Sequence, residues 1–575
     1  MNDLEKQVLD DISLEHPWEL IEKFSTMVRE HPTDVNRAAD VIADRLRGFG
    51  VPVTMYEPRL FLSLPRPSSV KAGGKEFRAK APSMSAIAAD GLTAQMVYVA
   101  AGHDAEVADD VFDFTSKEVL TKTDVRGKIV ITDGFAGPAN VAEFEAAGAV
   151  GVIAVNLGVD VHWGTCTSIW GSPDLYDLPR KPKIPALAVS RPDGEQLIEM
   201  AARGGEATMI ADLEEGWYDS KLPVVEIPGS VEPDKFVLLH GHYDSWDVGV
   251  GDNATGDATM LEVARVLWNN RSSLRRSVRI AWWPGHSTGR YAGSTWFADE
   301  FAIDLDENCV AHINCDSPGC RWATEYKDVS LTAETESFAA NVIRDAVDQP
   351  LYAERAHQAG DYSFNNIGIS GYFMLLSTMP DDLRAAKGYY AVGGAGGNIA
   401  WHTENDTLEI ADRDILLKDI RIYLLAALRN ANVEVLPFDW RATADEFSDV
   451  LEKYQAKAGA SYDFGKARAA IGSFKAALDG FYSDLQAGKV PAQAANAVIQ
   501  RLARLLIPVN FTRELRFWHD PALTIPQLPD LSVAVDLADL NDRERGFALT
   551  HLTRGQNRLV ATLREATRLV EGRAA

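Results

Sequence analysis

Apolar residues recur at helical spacing over 34–47, Gly48-Phe49-Gly50 forms a stop, and 51–56 then alternates apolar and polar positions as a half-buried strand does. This helix–strand step predicts the start of an α/β unit. From about 60 to 217 the pattern breaks into short strands and turns, among them 127–132 and 149–156, with an Ala-rich helical stretch at 141–147 stopped by Gly148. From about 218, apolar runs at 236–240, 278–282, 310–315 and 372–376 alternate with helical patterns. Such runs imply a mainly parallel or mixed sheet covered on both faces. Function is then expected at the strand ends, where loops converge. After Leu436-Pro437 the pattern is helical, at 440–456, 462–485, 491–506 and 541–570. The stripe Phe474, Leu478, Phe481, Tyr482 and Leu485 marks a face buried in a core or an oligomer interface.

A chain of 575 residues exceeds one ordinary core. Its net charge of -26 argues against a nucleic-acid surface, which needs clustered Lys and Arg. No apolar run reaches membrane-spanning length, and Met1-Asn2-Asp3-Leu4-Glu5-Lys6 lacks a basic region followed by an apolar one. No membrane partner is expected, and the cytoplasm is the default location. Cys166, Cys309, Cys315 and Cys320 match neither a disulfide framework nor a strong zinc-finger spacing, and read as buried thiols.

The chemistry-bearing residues gather in the second apolar-strand region. His242 lies just past the run 236–240, and Asp252 follows Asp244 by eight residues, at the start of a predicted helix. An imidazole and a carboxylate on successive loops of one sheet suit zinc or another first-row metal. Asp316 ends the run 310–315, and His402 lies in Trp401-His402-Thr403-Glu404-Asn405-Asp406-Thr407. Taken singly, each of these is more simply a hydrogen-bonded structural residue. His312 and Cys315 on a buried strand read as packing residues, and His240 as a strand-end hydrogen-bonding group.

In order along the chain, His-Tyr-Asp-Ser-Trp at 242–246, Asp-Asn-Ala-Thr-Gly at 252–256, Gly-Ser-Thr at 293–295, Asn-Cys-Asp at 314–316, Gly360-Asp361-Tyr362-Ser363-Phe364 with Gly368-Ile369, and His-Thr-Glu-Asn-Asp-Thr at 402–407 resemble the co-catalytic zinc exopeptidases. That family includes bacterial aminopeptidases, glutamate carboxypeptidase and the transferrin receptor. The resemblance implies a discontinuous α/β metallopeptidase domain at 1–60 and 218–436, with a phosphorylase/hydrolase-like mixed sheet. It implies a mainly-β protease-associated insertion at 61–217 and a helical dimerisation-like domain at 437–575, hence a homodimer. By the same resemblance Asp252 bridges two metal ions, His242 and Asp316 complete one site, His402 serves the other, and Asp244 holds His242 in its tautomer. Zinc, as one or two ions, is the implied cofactor, with iron or another divalent transition metal as the alternative.

The match breaks after 280–283, where active relatives carry adjacent glutamates, one a general base and one a metal ligand. Here Pro284-Gly285-His286-Ser287 puts His286 and Ser287 at those positions. An imidazole titrates near neutrality and can serve as base, acid or ligand. Three chemistries remain open: hydrolysis of an amide, peptide or related C–N bond with His286 as base or acid; lyase or ring-opening chemistry at a mononuclear zinc or iron centre that includes His286; or an inactive, receptor-like binding protein. The ligand of the first two is a small molecule or short peptide. Arg290, Tyr291, Tyr389 and Tyr390 are candidates for a substrate carboxylate or oxyanion. The aromatic loop holding Trp163 and Trp170 is a candidate substrate wall or domain interface.

Overall fold

The computed structural model describes residues 1–100, 123–327 and 329–572. Its main sheet has eight strands, in the order Thr54–Tyr56, Leu222–Ile227, Arg276–Trp283, Glu232–His242, Cys309–Asn314, Gly371–Tyr372, Val329–Leu331 and Ala353–Arg355. Glu232–His242 pairs in parallel with Arg276–Trp283 on one side and Cys309–Asn314 on the other. Both neighbours are also apolar, so the central strand is buried on both faces, as its uninterrupted pattern requires. Thr255–Asn269 and Arg413–Asn432 pack against these strands.

Two strands differ from their sequence patterns. The run 51–56 pairs only from Thr54, since Pro52 has no N–H to give to a ladder. The run 372–376 stops at Tyr372 because Phe373 takes a φ of 65°, which turns the chain out of the sheet. The helix at 34–47 forms as Pro32–Gly48, with His31 Nδ1 accepting from the Thr33 N–H and Pro32 at its first position.

A second, seven-stranded sheet lies between residues 68 and 211, in the order Lys75–Ala79, Ser68–Ala72, Glu206–Ala211, Ala88–Tyr98, Ile129–Asp133, Gly151–Val155 and Ala186–Val189. The last three strands run parallel, with the helices Pro138–Ala146 and Arg191–Ala202 between and after them. Its core is separate from that of the main sheet. The chain leaves the α/β unit along Arg59–Pro65 and returns along Leu213–Asp219, which pair antiparallel. That two-stranded ribbon ties both crossings together.

The C-terminal helices Trp440–Ala458, Gly465–Gln486, Ala492–Phe511 and Asp542–Val570 share one continuous apolar core with the main sheet. Arg504, almost fully buried, donates to the carbonyls of Leu305, Gly368 and Cys309 and so anchors them to the α/β unit. Among the described residues, no helix is long and apolar enough to cross a membrane.

Candidate metal centre

Three adjacent parallel strands deliver the site. In register, His242 pairs with Trp283 and His240 with Asn314, so His242, His286 and Asp316 emerge together at the C-terminal ends of their strands. Asp252 comes from the turn Val250–Ala254, where its peptide bond to Asn253 is cis. The buried Asn253 side chain donates to the carbonyls of His242 and Cys315 and accepts from the N–H groups of Gly256 and Ser317. All its bonding capacity thus clamps two strand ends and the turn in one place. The Asp406 carboxylate accepts from the N–H groups of Gly251 and Asp252 and fixes the turn from the other side. Burial raises the Asp406 carboxyl to about 7.

Within this frame His242 Nε2 lies 3.0 Å from one oxygen of Asp252, and His402 Nε2 lies 3.0 Å from the other. Asp316 Oδ2 is 3.6 Å from His242 Nε2. Ligand atoms bonded to one tetrahedral zinc at 2.0–2.2 Å are roughly 3.4 Å apart, so separations of 3.0 and 3.6 Å leave these groups placed to share an ion. His242 Nε2 is buried and makes no hydrogen bond. Burial disfavours charge on this ring, yet Asp316 and Asp252 beside it hold His242 well toward its protonated form. A buried pocket that draws positive charge to a nitrogen lone pair fits a divalent cation. One ion can take His242, Asp252 and Asp316. A second would have only Asp252 and His402 from the expected set, since Ser287 supplies no carboxylate.

Asp244 acts differently from the expectation. The hydrogen bond to His242 Nδ1, 2.9 Å, is made by the Asp244 main-chain carbonyl, while the carboxylate stands 4.0 Å away. The carboxylate instead accepts from the N–H groups of His286 and Ser287, at 3.0 and 2.9 Å. The tautomer of His242 is therefore set by backbone, and the Asp244 side chain holds the turn that carries His286.

His286 stacks face to face on His242, with ring centroids 3.7 Å apart and planes 15° from parallel. Its Nδ1 lies 2.7 Å from Asp361 Oδ2. A ligating atom from each of His242, His286 and Asp316 fits within 4.8 Å. The sequence assigned Asp361 no role; it lies in the Gly360-Asp361-Tyr362-Ser363-Phe364 motif, 75 positions from His286, and only the fold joins them.

The centre opens into a cavity of about 590 Å³, a size suited to a small organic ligand. His286, Arg290, Tyr291 and Trp163 line it, with Phe135 from the inserted sheet unit and Leu523 from the C-terminal part. Trp163 stacks on Trp246, its main-chain N–H donates to the His402 carbonyl, and Lys80 Nζ lies 3.2 Å over its ring. Trp170 and Tyr390 stand behind this wall. Trp170 packs on Tyr291, and the Tyr390 hydroxyl bonds to His162 Nε2 at 2.7 Å. Burial keeps His162 neutral, with its pKa lowered to about 3. The loop 162–171 is thus both wall and interface, stitched to the α/β unit through Ser287, Arg290 and His402. His240 accepts from Trp283 Nε1 and bonds to His312, both rings fully buried. All four cysteines are free and buried.

Residues 224–427 match the model of peptidase family M28, and 92–197 match the PA domain. The chain is 27% identical over 240 residues to the probable glutamate carboxypeptidase VP8 of Zea mays, covering 40% of this chain and 33% of that protein. It is 26% identical over 218 residues to carboxypeptidase Q of Mus musculus, covering 36% of this chain and 43% of that one. The chain thus spans less than half the length of these relatives. Among solved structures, a zinc aminopeptidase of Bacillus subtilis superposes with a TM-score of 0.54 at 20% identity, covering 72% of this chain and 95% of that one. The strand ends that bring His242, Asp252 and Asp316 together lie within the part of the chain that matches peptidase family M28, residues 224–427, and a PA domain match at 92–197 precedes it.

Proposed function

We propose that this protein is a zinc-dependent hydrolase of an amide or peptide bond in a small substrate or short peptide, in which His286 takes the part of the glutamate base. It is carried by the placement of His286: stacked on His242, lining the cavity, and tethered through Nδ1 to Asp361. A zinc ion held by His242, Asp252 and Asp316 would supply positive charge to polarise the scissile carbonyl and acidify water. His286 Nε2 takes a proton as the water oxygen attacks the carbonyl carbon. The same proton then goes to the nitrogen as the C–N bond breaks, giving a carboxylic acid and an amine. The cavity wall of Trp163, Tyr291 and Arg290 orients the substrate beside these groups.

A ligand role for His286 is the second reading, favoured by the fit of His242, His286 and Asp316 within 4.8 Å. The stacking weighs against it. With ring centroids 3.7 Å apart and planes nearly parallel, the lone pairs of the two imidazoles run side by side, whereas two imidazoles that hold one zinc need lone pairs that converge. A receptor-like role without metal leaves a cluster of buried carboxylates with no reason to be kept together. Turnover of amino-acid 4-nitroanilides and N-acetyl dipeptides by zinc-loaded protein tests the proposal. Hydrolysis abolished by His286→Ala supports it, and undiminished hydrolysis by that variant sinks it. A homodimer through the C-terminal helices belongs to the same proposal.

A further inference from the structure

The His286 ring is the end of a buried chain of hydrogen bonds that begins in the inserted domain. Trp170 Nε1 donates to Ser363 Oγ at 2.8 Å, and Ser363 Oγ lies 2.9 Å from Ser294 Oγ. Ser294 Oγ donates to Asp361 Oδ1 at 2.6 Å, and Asp361 Oδ2 meets His286 Nδ1 at 2.7 Å. Trp170, Ser363, Ser294 and Asp361 are each at most 3% exposed. Burial pushes the Asp361 carboxyl up, but His286 beside it, together with His242 and the Ser294 hydroxyl, offsets that and keeps it below its ordinary range. An ionised carboxylate only accepts, so the hydrogen between it and His286 belongs to Nδ1.

We infer that Asp361 is a positioning residue for the proposed reaction: it fixes the His286 ring with the proton on Nδ1 and the lone pair on Nε2. Trp170 completes the support, so that seating the inserted domain and orienting the base are coupled. This rests on the base role of His286 proposed above. It accounts for the glutamate's replacement by a residue that needs a partner. A carboxylate base has two equivalent oxygens, whereas an imidazole has one usable nitrogen and must be told which.

The test is Asp361→Asn in the full zinc-loaded chain. Asn keeps an acceptor for Ser294 but can present an N–H to His286 Nδ1, which moves the ring proton to Nε2. Nitrogen NMR of histidine-labelled protein, with His286 assigned from the spectrum of His286→Gln, should show Nδ1 protonated in the natural chain and Nε2 protonated in the variant. On the 4-nitroanilide and N-acetyl dipeptide probes, kcat should fall about 10²-fold or more with KM and zinc content unchanged. A natural chain with bare Nδ1, or a variant with an unchanged tautomer, overturns the inference, even if no probe is turned over. If His286→Ala abolishes hydrolysis while Asp361→Asn leaves rate and tautomer intact, only the Asp361 inference falls; if His286→Ala retains full activity, the base reading falls first. Should Asp361→Asn fail to fold, Ser294→Ala, which frees one carboxylate oxygen, should lower kcat several-fold and give mixed tautomers at His286. An unchanged rate and spectrum in that variant would refute it.

Discussion

Asp252 is the side chain on which the centre turns, because its two oxygens face His242 and His402 at equal distances. Asp252→Ala should lower zinc affinity well beyond the ~10–100-fold typical of losing an outer hydrogen-bond partner, read by competition with a chelator. Asp244→Ala should behave in the opposite way. The His242 contact is made by a main-chain carbonyl and survives, while the N–H groups of His286 and Ser287 lose their acceptor, at about 1–3 kcal/mol for each buried group. Zinc affinity should change less than about 10-fold, and hydrolysis should fall far more. A variant that loses zinc and retains rate per bound ion would refute this assignment. That His242, Asp252, Asp316 and His402 lie close together was legible in sequence, because each sits in a local motif and the motifs keep their order. The use of the Asp244 carbonyl was not legible, since a sequence names side chains and not which backbone oxygen a ring will meet. Asp361 was equally hidden, being paired with His286 only by the sheet.

At the scale of elements, the helix Arg413–Asn432 carries a buried carboxylate, Asp419, beneath the loops of the site. It accepts from the Gly319 N–H, the Ser377 hydroxyl and the Tyr326 hydroxyl. Burial raises its pKa from 3.8 to about 6, the hydrogen bonds opposing. A raised carboxyl favours the folded state below the unfolded pKa, and that contribution is lost as pH rises through the folded pKa. The stability of the natural chain relative to Asp419→Asn should therefore decline between about pH 4 and pH 6, by roughly 2–3 kcal/mol at 1.4 kcal/mol per pKa unit. Denaturant unfolding of the two proteins across that range measures it; a constant difference would mean that Asp419 is ionised throughout. Element types were legible where apolar period and length agreed, as in the long C-terminal helices and the buried strands. Their limits were not, because Pro52 and the left-handed Phe373 end pairing through backbone geometry that an apolar pattern does not encode.

Across the whole molecule, three parts of the chain enclose one cavity, and the C-terminal helices continue the core of the α/β unit instead of building their own. That continuity was not legible, since a helical stripe looks the same whether it faces its own bundle, a sheet or a second subunit. The dimer proposal predicts a solution mass near twice 62.9 kDa at micromolar concentration; a mass of one chain would remove it. Measuring zinc content and hydrolysis together in His286→Ala decides whether an imidazole base serves a zinc centre here. About one tightly held ion per chain is expected in the variant as in the natural protein, with turnover lost. Loss of the ion along with turnover would make His286 a ligand, and full turnover with the ion in place would show that His286 is not the base.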